Sequence, residues 1–149
     1  MLLLDILKIN MEIQSKNYTK TYKSTETLVY SCQYHVIWTT KYRRKLLTPQ
    51  IEQDLKSLVL EKQGVWEYTI IEMEIMPDHV HLLIDINPQI GINVTIGKIK
   101  GYTSNVLRKK YKELRTKVPT LWTRSKFISS VGSVSLEVVK KYIEEQKNK

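Results

Sequence analysis

The chain has 149 residues, 42% hydrophobic and 26% charged, a composition that suits one globular domain with a single core. Its 24 Lys and Arg outnumber its 15 Asp and Glu, and the formal charge of +9 favours a polyanionic partner, because cations that neutralise phosphates release counterions. The single cysteine, Cys32, excludes an intramolecular disulfide and a cysteine-rich zinc site, and it suits a reducing compartment.

The first 27 residues indicate an arm that precedes the domain. Residues 1–9 are leucine-rich, but they are too few to span a bilayer and lack the basic start and cleavage site of a secretion signal. Residues 14–27 are polar, which is typical of a linker. We expect an arm over residues 1–27, one domain over residues 28–149, and a cytoplasmic location. No helix is basic on one side and aromatic on the other, so we expect no membrane partner.

Residues 28–75 predict a strand, a helix and a second strand. Apolar side chains alternate over residues 28–39, and the other side of this first strand carries His35, for which we expect no special task. Thr48-Pro49 predicts a helix start, because threonine caps the first turn and proline fits the first helical position. Apolar positions 51, 55, 58 and 59 form one stripe, and Gly64 ends the helix. Residues 66–75 alternate again and predict the second strand.

A turn at Pro77-Asp78 leads into a third strand that carries two of the three histidines of the chain. Positions 80, 82, 84 and 86 are apolar, so one face of this strand is suited to burial. His79 and His81 fall on the other face, because successive side chains alternate along a strand. Two such imidazoles on a rigid element are a candidate pair of metal ligands, although partly buried histidines bonded to backbone give the same pattern.

The remaining residues complete a βαββαβ order. A helix is predicted over residues 92–111, a loop over 112–120, a fourth strand over 121–131, and a last helix over 136–147 with Ser135 as its cap. This order is that of an α+β, ferredoxin-like (RRM-like) sandwich with an antiparallel sheet and an added C-terminal helix. The first and third strands are central in that topology, so we expect His79 and His81 in mid-sheet, facing away from the helices.

The loop after the first strand is basic and contains one aromatic residue, Tyr42. Such a run of charge is often only a solvated surface. On a chain of charge +9, beside a strand end, contact with phosphates is an equally good interpretation. The candidate nucleic-acid contacts are Lys41, Arg43, Arg44 and Lys45.

The last helix offers Tyr142 and Gln146, which lie one turn apart on one face. The amide oxygen of Gln146, with two imidazoles, would form a mixed nitrogen and oxygen site that suits Mg²⁺ or Mn²⁺, and Tyr142 would lie beside it as a nucleophile. A tyrosine on an amphipathic helix is more often a packing residue. Periodicity alone does not distinguish Tyr142 from Tyr102 or Tyr111.

The motif Met76-Pro77-Asp78-His79-Val80-His81-Leu82-Leu83 resembles the HUH motif, two histidines around a hydrophobic residue, of the single-tyrosine transposases of small bacterial insertion sequences. The similarity continues through segments 34–44, 99–104 and 121–122, and through 131–132 to the Tyr142-x-x-x-Gln146 pair. It covers roughly residues 28–147. The HUH motif together with the downstream Tyr-x-x-x-Gln is a specific signal.

The resemblance implies a site and a reaction. His79, His81 and Gln146 would bind one divalent ion, Mg²⁺ or Mn²⁺, and Tyr142 would cleave and rejoin single-stranded DNA through a 5′-phosphotyrosine. The DNA would carry hairpin ends. The protein would be a homodimer in which the Tyr142 helix of one subunit completes the site of the other. Lys126 departs from the family pattern, which has an aromatic residue there, and we expect this to alter local packing alone.

Three other readings remain open. A domesticated relative would process genomic palindromes with the same residues. A non-catalytic module of the same fold would bind single-stranded nucleic acid reversibly and without metal. A metal-dependent phosphohydrolase would use water as its nucleophile and leave no adduct between protein and DNA.

Overall fold

A computed structural model of the chain describes residues 22–132. Residues 1–21 and 133–149 lie outside the described residues, and with them most of the expected arm, the Ser135 cap and the expected last helix. The elements in chain order are β1 (Lys23–Ser24), β2 (Val29–Tyr30), β3 (Gln33–Thr39), α1 (Pro49–Glu61), β4 (Tyr68–Met76), β5 (His79–Ile86), α2 (Ile92–Lys110), α3 (Lys112–Thr116) and β6 (Phe127–Ser130). A single 3-10 turn, Lys41–Arg43, follows β3.

The main sheet has four antiparallel strands in the order β4-β5-β3-β6. The first and third of these strands along the chain, β3 and β5, are therefore the central pair. This is the strand order that the βαββαβ pattern predicted, and the α+β fold class is confirmed. Strands β1 and β2 form a separate two-stranded hairpin.

The hydrophobic core lies between one face of the sheet and helices α1 and α2. Helix α1 begins as predicted, with the Thr48 hydroxyl accepting a hydrogen bond from the backbone N–H of Ile51. Full burial of each aliphatic side chain contributes about 1.5–3 kcal/mol. The largest fully buried core side chains from the sheet and the two helices are Trp38, Leu82, Ile84, Ile86, Ile51, Leu55, Ile96, Ile99 and Leu107.

The predicted first strand is divided in two. Residues Val29–Tyr30 pair with Lys23–Ser24 in the hairpin, and the strand of the main sheet begins only at Gln33. Between them, the backbone N–H of Cys32 donates to the buried carboxylate of Asp85 at 3.3 Å. Because a side chain takes this donor, only the Cys32 carbonyl still pairs with the main sheet, accepting from the backbone N–H of Ile86 at 3.0 Å.

The expected loop over residues 112–120 begins with a short helix, α3. Leu114 is fully buried, which fixes this turn against the core. The Arg115 guanidinium donates to the carbonyls of Arg108 and Lys109 in the last turn of α2, where carbonyls lack helical partners. Helix α3 is thus tied to the end of α2, a contact that local periodicity does not predict.

The expected strand over residues 121–131 is shortened to β6, with Trp122 making an isolated bridge to Thr40. The side chain of Lys100 explains the interruption. Its ammonium group donates to the carbonyls of residues 123, 124 and 125 at 2.7, 3.4 and 3.2 Å. The carbonyls of residues 123–125 are thus bonded to a side chain of α2, and β6 begins only at Phe127. Within residues 22–132, no helix is long and apolar enough to cross a membrane.

Candidate functional site

The two histidines of the central strand β5 lie on one face of the sheet, as the alternation predicted. His79 pairs with Thr39 and His81 with Ile37 across the β3–β5 ladder. The intervening Val80 points into the core and is fully buried. The side chain of His79 is 14% exposed, whereas His81 is buried. Both imidazoles therefore lie in mid-sheet on the face opposite the two long helices.

Asp78, in the turn before β5, orients the first imidazole. Nδ1 of His79 donates to Oδ1 of Asp78 at 2.7 Å, and the Arg43 guanidinium donates to Oδ2 at 3.3 Å. Partial burial raises the pKa of Asp78, but the hydrogen bond from His79 and the charge of Arg43 together lower it by more. The net pKa of Asp78 is therefore below its ordinary value. An ionised carboxylate accepts a hydrogen bond from Nδ1–H, and in this tautomer the lone pair of the His79 ring is on Nε2.

The chemistry of this pair fits a divalent metal ion. A carboxylate that accepts the second ring N–H is the usual partner of a metal-binding imidazole, because it fixes tautomer and ring orientation. Among residues 22–132, no group of three His, Cys, Asp or Glu side chains is placed to hold a metal. The third expected ligand, Gln146, and the expected nucleophile, Tyr142, lie outside the described residues.

His35 is a neighbour of the site that the sequence did not single out. It lies on β3, two residues before Ile37, which is the strand partner of His81. The two imidazole rings stack with centroids 5.7 Å apart and planes inclined by 26°. His35 is 6% exposed. Burial lowers its pKa, against a smaller upward effect of Glu72, so the ring is neutral. The pairing register of β3 and β5 places His35 beside His81. The register of two strands cannot be read from the sequence of either strand alone.

The basic loop is fixed beside the histidine turn. The backbone N–H of Thr40 donates to the Asp78 carbonyl at 2.9 Å, and that of Leu47 donates to the Pro77 carbonyl at 3.0 Å. The loop therefore borders the same end of the sheet as His79. Lys41 is half-buried and the other three cations are exposed.

Two of the four predicted nucleic-acid contacts also serve the fold. Arg43 forms the ion pair with Asp78, and Arg44 donates to the carbonyl of Lys117 at 2.7 Å. Lys41 and Arg44 both lie near the ring of Tyr42, at 5.1 and 5.8 Å from its centroid. Both arginines are exposed residues, so the fold uses these side chains without removing them from the surface.

Comparison with known proteins gives a consistent set of matches. Residues 28–146 match the family model described as "Transposase IS200 like". The chain is 34% identical over 123 residues to the ISDra2 transposase TnpA of Deinococcus radiodurans, which covers 81% of this chain and 88% of that protein. It is 28% identical over 131 residues to the transposase for insertion sequence element IS200 of Salmonella typhimurium, with coverage of 84% and 86%. A crystal structure of a Deinococcus radiodurans R1 protein assigned as a transposase superposes with a TM-score of 0.69 at 28% identity, over 83% of this chain and 97% of that one.

Proposed function

The chain belongs to the IS200-like transposase family, and on that premise we propose that it cleaves and rejoins single-stranded DNA at the ends of an insertion sequence. The observation that carries the proposal is the histidine pair on one face of a central strand, with the Asp78 carboxylate bonded to Nδ1 of His79. Such a pair is suited to hold a divalent ion, and the family to which the chain belongs acts on DNA.

His79 and His81, with Gln146 from outside the described residues, would hold one Mg²⁺ or Mn²⁺ ion. When bound, the ion offsets the negative charge that develops on the phosphate oxygens in the transition state. Asp78 keeps Nε2 of His79 available as a ligand, and Arg43 holds the far oxygen of Asp78. The described residues thus orient one ligand before any substrate binds, which reduces the reorganisation needed at the moment of reaction.

Tyr142 would supply the nucleophile. Its hydroxyl oxygen attacks the phosphorus, the bond to the 3′ oxygen breaks, and the products are a 5′-phosphotyrosine and a free 3′-hydroxyl. The hydroxyl proton must leave, because the ordinary pKa of tyrosine is about 10, and the leaving 3′ oxygen takes up a proton. Since the phosphodiester energy stays in the covalent link, rejoining needs no ATP.

The substrate and the assembly follow from the same premise. The charge of +9 and the exposed basic loop beside His79 support a phosphate backbone as the ligand. We propose DNA with hairpin ends as the substrate, the cytoplasm as the location, and a homodimer in which the Tyr142 helix of each subunit completes the site of the other. Light scattering that gives a monomer with full cleavage activity would contradict the dimer.

The experiment is a covalent-adduct assay. A labelled single strand, copied from an imperfect palindrome and flank beside the coding sequence, is incubated with the protein and Mg²⁺ and separated on a denaturing gel. A slow band of protein joined to DNA is the expected result. Cleavage without that band indicates a phosphohydrolase, and reversible binding without cleavage indicates a binding module. Cleavage of genomic palindromes in preference to element ends indicates a domesticated relative.

A further inference from the structure

The basic loop contains two consecutive non-glycine residues in the left-handed region. Tyr42 has φ of 58° and Arg43 has φ of 53°. This conformation is unfavourable for side chains with a Cβ atom, and it persists where surrounding contacts determine it. Strained residues of this kind concentrate at ligand sites, so the surface that this turn presents to solvent is a candidate ligand contact.

Hydrogen bonds on both sides hold this turn in place. The backbone N–H of Arg43 donates to the Thr40 carbonyl at 2.9 Å, and the Thr40 hydroxyl donates to the Arg44 carbonyl at 2.6 Å. The backbone N–H of Lys41 donates to the Leu121 carbonyl at 2.8 Å. The backbone that carries Tyr42 is therefore fixed to the sheet and to the segment after α3.

The turn presents the ring of Tyr42 to solvent. Tyr42 is 66% exposed, whereas the nearby aromatic pair Trp38 and Trp122 is 1% and 6% exposed. Two cations accompany the ring, with Nζ of Lys41 at 5.1 Å and Cζ of Arg44 at 5.8 Å from its centroid. A ring that served packing would be covered. This ring stands on a backbone fixed by hydrogen bonds, is exposed, and has two cations beside it.

The ring is also close in sequence and in contacts to the histidine pair. Arg43, the next residue, donates to Asp78, and Asp78 accepts from His79. If the scissile phosphate of a DNA strand lay at the histidines, the nucleotides next to that phosphate would therefore lie along the basic loop. An aromatic face with adjacent cations is how proteins bind unpaired bases, because every base has a π face and every linkage a negative charge.

We infer that Tyr42 is a stacking platform for one unpaired nucleobase beside the scissile phosphate, with Lys41 and Arg44 meeting the phosphates on either side of that base. This inference rests on the proposed function and adds to it the residue that positions the strand. The fixed left-handed turn aims the ring, and the stacked base sets which phosphate reaches His79 and His81.

Two substitutions at Tyr42 separate the ring from the backbone. Tyr42→Phe keeps the ring, and Tyr42→Asn removes it while leaving a residue that tolerates the left-handed region. Tyr22→Asn is the matched control, because Tyr22 is also exposed, at 36%. It precedes Lys23, which donates to Thr69 opposite Asp85, at the end of β5 away from His79. Thermal unfolding of each variant shows whether the fold is intact.

The probe is a set of single strands from the element end, each with 2-aminopurine at one position near the scissile phosphate, since stacking quenches its fluorescence. We expect quenching at one position with wild type and with Tyr42→Phe. Tyr42→Asn should lose it and bind roughly tenfold more weakly, while Tyr22→Asn should match wild type. An abasic site at that position should abolish the difference between wild type and Tyr42→Asn.

Several results overturn the inference. Unchanged quenching and affinity in Tyr42→Asn would make the ring an ordinary surface residue, and equal weakening on intact and abasic strands would make its role structural. Retained quenching with an altered sedimentation coefficient would make it a contact between protein subunits. A covalent adduct with wild type, without ring-dependent quenching, contradicts this inference and leaves the proposed function standing. Failure of wild type to bind or cleave any strand contradicts both.

Discussion

The imidazole of His35 stacks with that of His81, with ring centroids 5.7 Å apart and an interplanar angle of 26°. Both residues are buried on the sheet face that carries His79, and burial keeps His35 neutral by lowering its pKa. A ring stacked beside a second ring limits the rotation of that ring about its side-chain bonds. His35 is therefore placed to hold His81 in one orientation.

Removal of the His35 ring should weaken metal binding. His35→Ala leaves a cavity into which His81 can turn, so we expect Mn²⁺ affinity to fall about tenfold, as for other partners of metal ligands. Titration calorimetry with Mn²⁺ measures this directly. His35→Phe is the matched control, because it retains a flat ring, and it should bind nearly as wild type. Equal Mn²⁺ affinity in wild type and His35→Ala would show that the stacked ring does not orient His81.

Tyr142→Phe should abolish the covalent adduct while oligonucleotide binding and folding stay nearly intact. The substitution removes one hydroxyl and keeps the ring. His79→Ala should also stop cleavage, through loss of metal, so excess Mn²⁺ should partly restore it. Added metal should not rescue the phenylalanine variant. Denaturing gels with labelled DNA separate these outcomes, and an adduct with Tyr142→Phe would assign the chemistry to another tyrosine.

Asp78→Ala should lower divalent-metal affinity by about 10- to 100-fold, because His79 loses the acceptor that fixes its Nδ1 proton. Arg43→Met should have a smaller effect, within about fivefold. Its ion pair with Asp78 is partly exposed, with side chains 38% and 19% accessible, and such pairs contribute little. Calorimetry on both variants gives the ranking. A larger loss in Arg43→Met than in Asp78→Ala would contradict this order of contacts.

DNA binding should weaken steeply as salt rises, because Arg43, Arg44 and Lys45 border the histidine turn and should meet phosphates. The triple alanine variant should bind more weakly. The slope of log affinity against log salt should become shallower by about 2, at roughly 0.7 per contact on a single strand. Anisotropy titrations at several salt concentrations measure it. An unchanged slope would make the loop a solvated surface only.

Lys100 should make stability depend on alkaline pH. Burial, with a smaller effect from Lys126, lowers its pKa from 10.5 to about 8. Between about pH 8 and 10.5 the unfolded chain then binds more protons than the folded one, so this group raises the free energy of unfolding as pH increases. Urea unfolding at pH 8 and pH 10 should show wild type gaining stability relative to Lys100→Met. A constant difference between the two would contradict the lowered pKa.

Much of the fold was predictable because it depends on local periodicity. Alternation along residues 76–86 put His79 and His81 on one face and Val80 in the core, and Thr48-Pro49 identified the start of α1. Side-chain direction repeats every two residues in a strand and every 3.6 in a helix, so a single segment contains this information. The order of these segments matches the ferredoxin-like topology, in which the first and third strands are central, and this predicted the strand order of the sheet.

The contacts around the site were decided only by the tertiary structure. His35 meets His81 because β3 and β5 pair in one register, and a shift by one residue would turn its ring to the other face. The Arg43 guanidinium donates to Asp78, 35 residues later in the chain, from a left-handed turn that contains no glycine to indicate it in the sequence. Lys100 interrupts the expected last strand from 23 to 25 residues away. Such pairings depend on how separate segments pack against each other, and periodicity within one segment carries no information about its distant neighbours.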